Sequence, residues 1–304
     1  MNTLEGLPEL SLAQHLLVLM NGVLLSFFVT FFALKGRFYR PLQTHDSAYS
    51  TYAPKLKDLA FVFLVFFGIN VLILPLVAHF WVYYHTQHGE STKSLFSIET
   101  RVWVQGIALW LSVFAVWLLC YLFKPAILRR LISAESTKIF KGIFYQISFG
   151  AMTWLICYPI VLTLNQALAL IVDNVFHPEP SEQVAVTLLK LSYNNWIPLF
   201  MYFFGVIIAV PILEEFLFRG ILQRWLCVKV GPWKGIVLAS VAFTAMHYAG
   251  EQKYFNLVLL PCLFLLSCYL GYLYERQRSL WAPIGLHGTF NMISAVVLLF
   301  QSSG

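Results

Sequence analysis

The sequence predicts an all-α fold, a polytopic membrane helix bundle of about eight transmembrane helices, and three observations predict it. Apolar residues make up 59% of the chain and charged residues 11%, with a mean hydropathy of +0.73. A soluble domain carries about 45–50% apolar and about 25% charged residues, so this chain lacks the charges to cover a water-facing surface. The apolar residues gather into runs of about 18 or more, the length that crosses a ~30 Å hydrocarbon core as helix. Lys and Arg fall between those runs.

Taken in order, the runs lie at roughly 12–34, 59–83, 102–123, 143–165, 197–217, 233–249, 254–274 and 280–300. The first four are nearly free of charge. An apolar stretch continues from the fourth to Phe176, as a longer helix or an interfacial segment. The fifth reads on as helix through FLFRGILQRWLCVKV, with charges at intervals. Pro211 within it can kink the helix and free a backbone carbonyl. Longer connections occupy about 35–58, 84–101 and 177–196. With no repeat and no low-complexity tract, the chain divides into residues 1–196, transmembrane helices of unrecognised role, and residues 197–301, where the ionisable groups collect.

Charge sets the orientation. The links after odd-numbered runs, with Lys234 at the very start of the sixth run counted to the link before it, hold sixteen Lys and Arg residues and those after even-numbered runs hold four. The odd links therefore face the cytoplasm, and both termini lie on the other side. This distribution also explains the net charge of +6 without nucleic acid, since no basic stripe interleaved with aromatics is present. The five cysteines include no CxxC and read as small buried hydrophobes, which leaves no disulfide framework and no cysteine metal site.

Ionisable groups at membrane depth cost about 2.5–3.5 kcal/mol each on insertion scales, so they call for a reason. Here they cluster: Glu214, Glu215 and Arg219 in VPILEEFLFRG, His247 in VAFTAMHYAG, and His287 with Asn291 in APIGLHGTFN. Glu215 and Arg219 stand at i,i+4, where a carboxylate and a guanidinium meet on one helix face. Glu214 is turned about 100° away and has no partner on its own helix. Phe243 with His247, and His287 with Asn291, are also i,i+4 pairs. A desolvated carboxylate can act as general base on water, a histidine can position that water, and a second histidine with an amide can donate to an oxyanion. That set describes a hydrolase with no serine or cysteine nucleophile.

The three motifs EExxxR, FxxxH and HxxxN, in this order within hydrophobic segments, resemble those of the CAAX protease and bacteriocin-processing family (CPBP, or Abi), which includes the Ras-converting CAAX endopeptidases. The resemblance covers roughly residues 199–294. It implies an intramembrane endopeptidase in which Glu214 is the general base, His247 holds the water, and His287 and Asn291 form the oxyanion hole. Glu215, Arg219 and Phe243 would be supporting residues. The implied partners are membrane lipids and a membrane-associated peptide or protein substrate, lipidated or not. No cofactor and no metal are expected.

Other readings stay open on the same residues. Zinc could be held by a Glu and two His, with a metal-bound water as nucleophile. A non-catalytic scaffold or immunity protein would use the polar groups to hold helices together. A proton-coupled transporter would use them as a relay, although no internal repeat supports it. The expected location is an integral, multi-pass position in a membrane, with a bacterial inner membrane favoured over a eukaryotic endomembrane.

Overall fold

The computed structural model describes residues 12–42, 54–88, 98–125, 139–177, 187, 190–192, 195–250 and 252–302. Most of the three long connections lies outside the described residues. Among the described residues there are helices and no strands. Eight helices follow in order: α1 Leu12–Lys35, α2 Leu56–Gln87, α3 Ile98–Phe123, α4 Ile139–Phe176, α5 Trp196–Val230, α6 Pro232–Ala245, α7 Lys253–Gln277 and α8 Trp281–Ser302.

Seven of these are long and apolar enough to cross a membrane, and α6 is not. The expected run at 233–249 supplies only 14 helical residues, which reach about 21 Å at ~1.5 Å per residue. The shortfall at this run leaves seven helices of spanning length among the described residues, where about eight were expected. Its cause is that the apolar run outlasts the helix, which ends in turns from Met246 onward. Two other expectations resolve cleanly. The apolar stretch to Phe176 is continuous with α4, a helix of 38 residues. The fifth run extends to Val230.

Helix directions follow from residue pairs. Arg219 meets Ser267, Gln223 meets Gly271 and Cys227 meets Glu275, so α5 and α7 run parallel. The chain must therefore return between them. It does so through α6, whose Gly235 abuts Cys227 while its Phe243 lies over Arg219, and then through the non-helical residues 246–250. Non-helical backbone at membrane depth is tolerated only inside protein or beside a wet cavity. Here Asn256 of α7 satisfies it, accepting from Ala249 N at 3.3 Å and donating to Ala249 O at 2.6 Å.

Two apolar clusters hold the bundle. One joins Val62 and Ile69 of α2, Val116 and Cys120 of α3, Phe216, Leu217 and Ile221 of α5, and Phe243 of α6. The other joins Cys157 and Val161 of α4, Leu266 and Leu270 of α7, and Ala282 and Leu286 of α8. Backbones of α4 and α8 approach closely because small residues face each other. A Cβ on Gly150 would strike the carbonyl of Ala282, and one on Gly285 that of Ile147. This is the contact expected of helices that associate in lipid by close packing. Large apolar side chains such as Phe27, Phe32, Phe114 and Phe144 stand more than half exposed on the outside. The chain is an integral, multi-pass membrane protein.

Candidate active site

The site is built on α5, and α5 is not a regular helix. It opens into π-helical turns at Gly205–Ala209 and again at Phe216–Gln223, a feature that often accompanies functional sites. Pro211 explains the first. Having no N–H, it cannot bond back along the helix. In the five-residue register of this segment, which Val210 N follows to Gly205 O, the carbonyl left without a donor is that of Val206. The side-chain amide of Asn291 donates to it, Nδ2 to O at 2.8 Å. Helix α8 comes this close because Gly288 faces the same stretch, where a Cβ would stand 2.8 Å from Ile207 O.

The two adjacent glutamates have different surroundings. Glu215 is fully buried, and the contact implied by its spacing is formed: Arg219 Nη1 lies 3.0 Å from Glu215 Oε1, at 1% and 0% side-chain exposure. The other arm of the guanidinium donates to Ser267 Oγ at 2.7 Å and Ser267 O at 3.2 Å. Its plane lies 4.6 Å from the centre of the Phe243 ring, a cation–π contact in a dry place. His287 Nδ1 donates to the same Glu215 Oε1 at 2.9 Å. One buried carboxylate thus ties α5 to α8 directly and to α7 through Arg219.

Glu214 faces the other way and is 21% exposed. Its Oε1 lies 3.9 Å from His247 Nε2 and its Oε2 lies 3.8 Å from His287 Nε2. Both separations exceed a direct hydrogen bond. The outer nitrogens of both rings are occupied. His247 Nδ1 stands 2.9 Å from the Phe243 carbonyl, which can only accept, so this nitrogen carries a proton. His287 Nδ1 is committed to Glu215. Each ring therefore turns Nε2 toward one carboxylate that has no closer partner among these groups. Phe243 packs beside both, with ring centres 4.7 Å from His247 and 6.2 Å from His287.

All seven residues singled out from the sequence thus come together on α5, α6 and its following turn, and α8. Asn291 joins through the Val206 carbonyl. Among the described residues, no three His, Cys, Asp or Glu side chains are gathered closely enough to ligate one metal ion. Residues not singled out complete the surroundings: Ser267 on Arg219, Asn256 on the turn after His247, and Gln223, whose Nε2 donates to Gly271 O and Glu275 Oε1, each at 3.0 Å. Glu215, Arg219, Gln223 and Cys227 recur every fourth residue. That stripe was visible in the sequence and marks the face that α7 covers.

Fold and site together define a class: a multi-pass membrane protein whose last four helices converge on paired carboxylates and histidines. Residues 195–293, roughly a third of the chain, match the family described as Type II CAAX prenyl endopeptidase Rce1-like. The match falls on the same motifs that carried the resemblance. A family of this description implies a protease, a membrane location and a membrane-associated protein substrate. No curated protein and no solved structure matches the chain.

Proposed function

We propose that the protein is an intramembrane endopeptidase that hydrolyses a peptide bond with water activated by Glu214 and His247. The observation that carries this reading is the division between the glutamates. Glu215 is consumed by Arg219 and His287, whereas Glu214 faces two imidazole nitrogens across an open gap. A water in that gap gives one proton to the Glu214 carboxylate and directs its other O–H to the lone pair on His247 Nε2. Its oxygen attacks the peptide carbon, and the carbonyl oxygen becomes an oxyanion. His287, its Nδ1–H held by Glu215, donates from Nε2 to that oxyanion when the ring carries both protons. Asn291 has one N–H on Val206 and a second left for the same oxygen. Glu214 then returns the proton to the departing amine. Preset donors of this kind act in the transition state, which is why their placement matters more than their number. The substrate is a membrane-associated protein or peptide, with or without a lipid at its terminus.

Comparative peptidomics of membranes holding the native protein or its Glu214→Gln variant tests this. Fragments that depend on Glu214 are expected. Identical peptide patterns would overturn the reading.

A second reading is favoured by the ring orientations. Both Nδ1 atoms are held by acceptors while both Nε2 atoms face one carboxylate, which is how ligand histidines are fixed around a metal. Zinc at that point would bind Glu214, His247 and His287 and polarise the water instead, after the groups draw closer than the present 3.8–3.9 Å. Elemental analysis beside a chelator titration separates the two. The water-only reading expects cleavage to survive chelation. One equivalent of zinc that tracks activity through removal and restoration would replace it.

A further inference from the structure

We infer that Pro211 is a positioning residue: by withholding a backbone N–H from Val206 it leaves the carbonyl that holds and aims the Asn291 amide. The inference rests on the proposed hydrolytic role of Asn291 for its catalytic half, and on geometry alone for its structural half.

Three observations coincide. Val206 lies five residues before Pro211, inside the π-helical turn Gly205–Ala209, so residue 211 is the donor that this register would assign to Val206 O. Proline has no N–H, and Asn291 Nδ2 takes its place at 2.8 Å. Gly288, one turn from Asn291, sits where any side chain would press on the adjacent carbonyl of Ile207 at 2.8 Å. Three residues of different kinds, one on α5 and two on α8, thus serve a single contact between the helices.

The arrangement does more than relieve a missing hydrogen bond. An asparagine amide on a helix facing a cavity rotates about two side-chain torsions, and a donor that rotates is poorly set for an oxyanion. Binding one N–H to a backbone carbonyl fixes the amide plane and so fixes the direction of the other N–H. Backbone is the most rigid acceptor a helix can offer, but a regular helix has none to spare in its interior. A proline five residues downstream creates one on α5, opposite Asn291 of α8. The irregularity of α5 is therefore part of the site.

A double-mutant cycle tests the pair. Asn291→Ala alone leaves the part-buried Val206 carbonyl without its donor and should lower the unfolding temperature of the full-length protein in detergent or bilayer. Pro211→Ala supplies an N–H for that carbonyl. Combined with Asn291→Ala, it should restore most of the lost unfolding temperature while leaving peptide cleavage as low as in Asn291→Ala. Alone, Pro211→Ala should unfold no earlier than the native protein, yet lose at least about tenfold in kcat with KM little changed. The ceiling is the roughly 10²–10³-fold loss known for deleting an oxyanion donor.

Additive losses of unfolding temperature in the double variant would overturn the pairing of Pro211 with Asn291. So would a Pro211→Ala variant that loses stability and activity together, the behaviour of an ordinary structural proline. Should cleavage by the native protein prove independent of Glu214, the hydrolytic reading fails. The unfolding half of the cycle still decides the contact between Pro211 and Asn291.

Discussion

Helices α1 and α7 have nearly the same hydropathy, 2.3 and 2.0, yet 6% of the most apolar stretch of α1 is buried within the protein and 50% of that of α7. Among the described residues the first packs chiefly on α4, through contacts such as Ser26 Oγ to Thr163 Oγ1 at 3.0 Å. The second passes through the middle, with Ser267, Gly271 and Glu275 buried against α5. The difference teaches that apolarity places a helix in the membrane and says little about its position in the bundle. What distinguishes α7 is its small and polar residues, which only a surrounding of other helices can satisfy.

The comparison makes unequal predictions for the two regions. The largest concerns Arg219. Arg219→Ala leaves the Glu215 carboxylate buried without its guanidinium, and losing one partner of a buried pair typically costs about 3–5 kcal/mol. A fall of this order in unfolding free energy is expected by reversible denaturation in mixed micelles. A change near zero would mean that the pair is not load sharing between α5 and α7. Ser267→Ala removes only the hydroxyl that accepts from Arg219 Nη2. Hydrogen bonds between membrane helices average about 0.6 kcal/mol and reach about 1.7, so a loss near 1 kcal/mol is expected in the same assay. Smallest is Phe28→Ala on α1, where the ring is 53% exposed toward lipid. Such surface changes usually stay within about 0.5 kcal/mol. A loss as large as that of Ser267→Ala would show that α1 carries more of the bundle than its burial suggests.

Much of this was legible in the residues, for reasons that can be named. Hydropathy exposes membrane helices because lipid offers no partner for polar backbone, so long apolar runs have one outcome. The Glu215–Arg219 contact was legible because spacing within one helix fixes geometry. Pro211 announced a freed carbonyl, but which group would meet it depended on how α8 lies against α5, which no local pattern encodes. The same holds for Ser267 and Asn256. A serine or asparagine in an apolar run is unremarkable until its neighbour across the interface is known. The failure at 233–249 has a different origin. Its composition is that of a spanning helix, while the backbone leaves the helical path after Ala245 and places His247 in a turn. Composition does not register a helix that ends four residues before the run that contains it.

The central claim is that adjacent carboxylates have separate work, Glu215 in holding helices and Glu214 in activating water. Cleavage by purified Glu214→Gln protein, with a substrate peptide identified from native membranes, tests it most directly. No contact of Glu214 with a titratable partner is shorter than 3.8 Å among the described residues, so its amide variant should unfold close to the native temperature. Cleavage should fall by at least the roughly 10²–10⁴-fold contributed by general-base catalysis. A folded Glu214→Gln protein that cleaves within a few-fold of the native rate would contradict the account.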